Sequence, residues 1–244
     1  MKRIVLIFGM FLLSLVFAYS VCAADGTGGK AYNWSGFYIG AHGGLSWGNS
    51  GSNTKNTVTG ESVGTGGSSV NNGFGGLHIG NDFMLTKNIL FGLEFGGSYI
   101  NASNDETTSN ASGTSIHTTT GKTNWSESLT ARVGYVHENW LFYGKGGVVF
   151  DQGDVTRTQK VGTTGLATAG TSENVSNNRT GWTIGGGIEY GFAPNWSAFV
   201  EYRYGASNYT ITFPIAQRSS DVDAYSNTII FGLNYKFNWG STLY

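Results

Sequence analysis

The mature chain has no cysteine, little charge, and no apolar run long enough for a second membrane helix. Cys22 is the single cysteine, and it lies inside an N-terminal leader. Disulfides, cysteine-based metal sites and cysteine nucleophiles are therefore excluded. Charged residues make up 12% of the chain, roughly half the share of an ordinary soluble domain. Without Lys2 and Arg3, 12 of the 14 basic residues remain against 15 acidic ones, a formal charge of −3. No basic excess favours nucleic acid as a partner. There are only 2 prolines, against 39 glycines and an aromatic fraction of 14%.

The N-terminus reads as a secretion signal. Lys2 and Arg3 precede a nearly continuous apolar run, Ile4 to Val21, and small residues follow at Cys22-Ala23-Ala24. The expected signal spans 1–23, with cleavage after residue 23 or 24, and leaves one β domain, 24–244. That domain alternates with a period of two. In Trp196-Ser-Ala-Phe-Val-Glu-Tyr-Arg-Tyr204, Trp196, Val200 and Tyr202 share one face while Ser197, Glu201 and Arg203 share the other. Export, absence of cysteine, abundant aromatics and period-two patterning together predict an all-β fold. The expected architecture is an eight-stranded antiparallel up-and-down transmembrane β-barrel, the form that pairs every backbone group in lipid without helices.

Eight segments carry the alternation, at about 36–49, 73–85, 89–101, 124–136, 140–156, 180–192, 196–210 and 226–239. Three short turns, at 86–88, 137–139 and 193–195, alternate with polar stretches at 50–72, 102–123, 157–179 and 211–225. Those four are expected to be long extracellular loops, and 50–72, with little to bury, to be disordered. Both termini then lie in the periplasm and the outer membrane is the destination. Parity places Ile39, Leu77, Leu93, Val133, Phe142, Ile184, Val200 and Phe231 toward lipid. Trp140, Phe192 and Trp196 form a girdle beside the short turns, and Trp47, Trp125 and Trp182 part of the other.

The opposite parity collects Asp82, Glu94, Glu189 and Glu201 with Arg132, Lys145, Arg203 and Lys236. Four acids facing four bases predict a lumen packed with ion pairs, because eight strands enclose only enough space for side chains. His42 and His78 fall on the same inner parity of adjacent strands, as a hydrogen-bonded part of the filling or a proton-sensitive pair. His117 falls in a long loop and is the candidate ligand for heme iron; otherwise no cofactor and no metal site is expected. His137, beside Glu138, reads as solvated. No histidine is followed two residues later by Ser, and a Ser-His-Asp set would have to assemble from separate loops. No enzymatic role is expected.

Several stretches resemble the family of small outer-membrane β-barrel surface antigens, also called porins or opacity-like proteins. They are Trp34-Ser-Gly-Phe-Tyr-Ile-Gly40, Ser128-Leu-Thr-Ala-Arg-Val-Gly-Tyr135, Gly181-Trp-Thr-Ile-Gly-Gly-Gly-Ile-Glu-Tyr190, Val200-Glu-Tyr-Arg-Tyr204 and Gly232-Leu-Asn-Tyr-Lys-Phe237. The resemblance covers the strands and none of the long loops. It implies a surface protein that supports envelope integrity. Its implied contacts are membrane lipid and lipopolysaccharide, the barrel-assembly machinery during insertion, and host or surface ligands through the loops. Some relatives bind hemin, and others are called porins, so a channel for ions or small solutes and a hemin receptor are the alternative functions. Family members end on the last strand's aromatic residue. Here Phe237 is followed by seven more residues ending at Tyr244, and either aromatic could serve as the assembly signal.

Overall fold

The computed structural model describes residues 32–109, 116–162 and 166–237. The signal read at 1–23 and the terminal Tyr244 lie outside them. Eight antiparallel strands follow in order: β1 Gly36–Asn56, β2 Ser62–Met84, β3 Ile89–Ser109, β4 Ile116–His137, β5 Trp140–Val161, β6 Ser172–Ala193, β7 Trp196–Phe213 and β8 Arg218–Lys236. Each pairs with its sequence neighbours, and β8 closes on β1. From Ile39, the path across paired residues runs through Ile79, Phe95, Leu129, Val148, Trp182, Ala206 and Tyr225. It returns to β1 at Asn49, ten residues from where it began. With a rise of about 3.3 Å per residue and strands about 4.8 Å apart, that stagger sets a tilt of about 40°.

The apolar outer face follows the alternation. Ile39, Leu77, Leu93, Val133, Phe142, Ile184, Val200 and Phe231 are all exposed on the barrel wall. Aromatic pairs edge this belt. At the short-turn end Trp140 packs on Tyr190 with ring centroids 4.5 Å apart, and Trp196 on Tyr235 at 5.2 Å. At the other edge Tyr99 meets Trp125 at 5.4 Å and Trp182 meets Tyr204 at 5.7 Å. From Phe192 to Trp182 is ten residues along β6, about 25 Å of height at this tilt and the thickness of an outer-membrane apolar band.

The strands do not stop at the belt. The segments expected to be loops at 50–72, 102–123, 157–179 and 211–225 are largely strand. β1 and β2 run on to a short tip at 57–61, β7 and β8 to one at 214–217, and β5 and β6 continue to Val161 and from Ser172. The expected disorder of 50–72 is likewise replaced by a paired hairpin, from Ser50↔Ser68 to Lys55↔Ser62. Beyond the belt the outer face of a strand meets water, and much of the inner face meets polar neighbours. No apolar alternation is required there, and backbone pairing alone holds the wall. Irregularities in the ladders between Tyr99 and Ala102 and between Thr123 and Trp125 sit at the belt's edge, where the wall changes character.

Amide hydrogen exchange tests the tall hairpin. β1 is flanked on both sides, so its amides over 50–56 should all exchange roughly 100-fold or more below unstructured-chain rates. β2 is flanked only by β1 over 64–72, so protection there should alternate. Uniformly fast exchange across 50–72 would contradict the paired hairpin.

Candidate functional site in the barrel lumen

At the short-turn end the chain entering β1 folds inward. Tyr32 and Trp34 are buried, with ring centroids 4.6 Å apart. They pack with Leu90, Val136, Leu141 and Tyr143 in one apolar cluster. Trp34 Nε1 donates to the Glu138 carbonyl at 3.1 Å, and Asn139 Oδ1 accepts from the Tyr32 amide at 3.1 Å. An aromatic plug thus closes this end. The sequence reading missed it because residues 32–35 precede the first strand and carry no alternation.

Above the plug lies the charge cluster. The structure brings together all eight of the residues that parity turned inward. Arg132 grips Asp82 with both ends of its guanidinium, Nε to Oδ1 at 2.9 Å and Nη2 to Oδ2 at 2.6 Å. Its Nη1 donates to Glu189 Oε2 at 2.9 Å. Lys236 Nζ donates to Asp82 Oδ2 at 2.8 Å and also to the Trp34 carbonyl, tying the network to the plug. A second group sits beside the first. Lys145 bridges Glu94 at 2.9 Å and Glu201 at 2.8 Å, and Arg203 Nε donates to Glu201 Oε1 at 2.8 Å.

Two tyrosines join the groups. The Arg132 guanidinium carbon lies 5.0 Å from the Tyr38 ring centre and 5.3 Å from that of Tyr143. The Tyr38 hydroxyl donates to Glu94 and the Tyr143 hydroxyl to Glu201, both at 2.9 Å. Every oxygen of the four carboxylates therefore has at least one donor, and four cations balance four anions. Only this degree of satisfaction makes buried charge tolerable, since an ion left without its partner carries a desolvation cost of several kcal/mol. Tyr38 and Tyr143 lie on the inner parity, next to the outward Ile39 and Phe142 in sequence.

The histidine pair lies against the same cluster. Asn234 Nδ2 donates to Glu189 Oε1 at 2.7 Å, so its Oδ1 faces His78 Nε2 at 2.6 Å and must accept. His78 thus carries its proton on Nε2, and its Nδ1 accepts from His42 Nδ1 at 2.9 Å. His42 Nε2 then accepts from the Ser98 hydroxyl at 2.8 Å. One directed chain runs from Ser98 through both rings and Asn234 to Glu189, which Ser197 also reaches at 2.5 Å. Two charged imidazoles would set N–H against N–H at the Nδ1 contact, so this geometry fits the neutral pair.

Close approach explains two inward glycines. A Cβ on Gly92 would collide with the Asp82 carboxylate that Arg132 holds, and one on Gly187 would lie 2.6 Å from the Tyr143 hydroxyl. His137 is exposed at its turn. His117 is not in a loop. It stands in β4 opposite Gln159 of β5, half-buried, lining a cavity above the charge network. Its pKa is lowered to about 4, first by burial and then by Arg157 and Arg218. It is half-buried on the cavity wall and does not stand on an exposed outer loop. Its loop placement failed because Thr and Gly surround it on β4, a composition shared by loops and by tall polar strands.

Breaking the network is expected to cost about 3–5 kcal/mol for Arg132→Ala or Glu201→Ala, because each leaves a buried charge without its partner. Urea unfolding in detergent checks this, and wild-type stability in both would contradict a structural network. Imidazole ¹⁵N shifts at neutral pH should show His78 protonated at Nε2 and His42 at Nδ1, with the same tautomer in both as the contrary result. For His117, the sign follows from its lowered pKa: the unfolded chain binds the proton first, so stability is lost as pH falls from about 6.5 to about 4. His117→Gln should flatten that slope.

Known proteins bear on this architecture. The model of the outer membrane protein beta-barrel domain matches residues 10–237. The 31 kDa outer-membrane immunogenic proteins of Brucella melitensis and Brucella suis are 30% identical over 117 residues. The match takes in 48% of this chain and 47% of each relative, so the chain spans about half the length of the relatives it matches. Neisserial surface protein A superposes with a TM-score of 0.44 at 15% identity, over 83% of this chain and 98% of its own. Ail of Yersinia pestis, in complex with the heparin analogue sucrose octasulfate, gives 0.35 at 15% identity, over 81% and 99%. With an apolar belt, a plugged and charge-filled lumen and a family match over nearly its whole length, the chain belongs to the outer membrane protein beta-barrel domain family and is an outer-membrane surface protein.

Proposed function

We propose that the protein is a closed, non-enzymatic anchor that supports the envelope and presents its tall end to the surroundings. One observation carries this reading: at belt height the lumen is filled. Asp82, Glu94, Arg132, Lys145, Glu189, Glu201 and Lys236 are all buried, fully paired and locked to the Tyr32–Trp34 plug. A porin needs a continuous aqueous path, and moving ions along this lumen would first require dismantling those pairs. The hemin-receptor alternative depended on an exposed His117, which is instead turned into the barrel.

In this reading the signal at 1–23 is removed, the barrel-assembly machinery inserts the mature chain, and both termini stay in the periplasm. The short turns then face the periplasm and the tall end projects outward by about another 25 Å, since β6 continues ten residues past Trp182. Lipid surrounds the belt. Exposed Lys122, three residues beyond Trp125 on β4, stands where lipopolysaccharide phosphates would lie. The tips at 57–61 and 214–217 and the outer ends of β3 to β6 make the outward contacts.

Single-channel recording of the refolded, signal-free protein tests the closed lumen. The expected result is a silent bilayer, with folding confirmed by heat-dependent gel mobility. Stable conductance steps in the wild type, altered by Arg132→Ala or Glu201→Ala, would establish a pore and overturn the reading.

A further inference from the structure

Above the belt the ring divides. Pairing between β2 and β3 ends at Phe74↔Ile100, and pairing between β6 and β7 ends at Gly181↔Ser207. The other ladders continue toward the tips: β3–β4 to Ser109↔Ile116, β4–β5 to Ile116↔Val161, β5–β6 to Thr158↔Ser172, β7–β8 to Phe213↔Arg218, and β8–β1 to Asn56↔Arg218. The tall end is therefore two four-stranded lobes, β3–β6 and β7–β8–β1–β2.

The β6–β7 seam is bridged by side chains. Val155 of one lobe packs with Ile211, Phe213 and Val222 of the other. The Glu173 carboxylate accepts from the Ile215 and Ala216 amides at 3.0 and 3.2 Å, and the Leu166 amide donates to the Ile215 carbonyl at 2.7 Å. Across the ring, the β2–β3 seam has no strand pairing above Phe74 among the described residues. Between the lobes lies a partly open cavity of about 660 Å³, within the range of small-molecule sites.

The polar lining of that cavity is unbalanced. Arg157, Arg179 and Arg218 point into it, and none of the three forms an ion pair among the described residues. Arg157 is only 7% exposed, and its Nε is buried with no hydrogen-bond partner among the described residues. The same holds for Arg179 Nε and Arg218 Nη1. Glu173, opposite Arg157 on β6, is already held by two backbone amides. Arg157 faces the Phe213 ring at 5.9 Å. Buried guanidinium N–H groups without acceptors are costly, and an anion seated among them would relieve the cost. The low pKa of His117 and the lowering of Arg157's to about 10, burial first and Arg218 next, agree with a positive field there that Glu173 offsets only in part.

We propose that the cleft between the lobes is a binding site for an amphipathic organic anion, its carboxylate or sulfonate on Arg157 and Arg218 and its apolar body against Phe213, Ile211 and Val222. The unpaired β2–β3 edge is the way in. This rests on the reading of the tall end as the outward face, but the site stands or falls on its own measurement.

Titration calorimetry on the mature barrel in lipid nanodiscs, with empty nanodiscs as reference, tests it. The probes are 4-phenylbutyrate, its neutral amide 4-phenylbutyramide, and inorganic phosphate. Saturable binding of the carboxylate is expected, with the amide and phosphate each at least about tenfold weaker. Arg157→Gln and Arg218→Gln should each weaken carboxylate binding about tenfold, and Arg157→Lys less. The same two Gln variants should unfold no more easily than the wild type without ligand, because each removes a charge that has no ion-pair partner among the described residues. A structural role for these arginines would instead lower stability. No saturable binding above empty nanodiscs, equal binding of acid and amide, or insensitivity to the Gln variants would overturn the site. Phosphate binding as tightly as the carboxylate would overturn its apolar half. A silent bilayer alongside failed binding would reject the cleft and leave the closed anchor standing.

Discussion

The bidentate grip of Arg132 on Asp82 is the contact on which the lumen depends. Asp82 comes from β2 and Arg132 from β4, and the same guanidinium reaches Glu189 on β6 while Lys236 of β8 approaches Asp82. One charged centre therefore ties the four even-numbered strands across the interior. The backbone ladder fixes each strand only to its neighbours; the network fixes strands that never touch. Because lipid surrounds the wall and offers no alternative partner, a broken pair has nowhere to go.

Neutrality and connectivity work together. Four anions and four cations leave no net charge to attract ions, and tyrosine hydroxyls fill the acceptor positions that cations leave open. The histidine chain ends on Glu189, so even the uncharged members are directed by a carboxylate. Below, the aromatic plug keeps water from the cluster. Above, the filling stops and the cavity begins, floored by Glu94, His42 and Arg203. The barrel thus has three levels: an apolar stopper, an ionic filling, and an arginine-lined cleft.

The change from one level to the next coincides with changes in the wall. Ladder irregularities after Tyr99 and Thr123 lie beside the Tyr99–Trp125 pair that marks the belt's edge. Inside the belt all strands must pair, since lipid satisfies no backbone group. Outside it, water can. That freedom lets the β2–β3 and β6–β7 ladders end early and the tall end separate into lobes.

Period-two alternation by itself determined the belt: eight strands, their starts beside the short turns, the outward Ile39, Val133 and Ile184, and the inward parity of all eight charged residues. A lipid face and a packed face impose opposite polarities, so the pattern is written residue by residue. Only the tertiary structure decided which charges meet, because partners are set by a ten-residue stagger that no single strand records. It alone revealed the tall strands, the plug and the arginine cleft. Beyond the belt the hairpin of β1 and β2 meets water or polar neighbours on both faces, and a strand under that condition has the composition of a loop. His117 was misplaced for the same physical reason: where no apolar face is required, alternation vanishes and the sequence no longer says which way a side chain points.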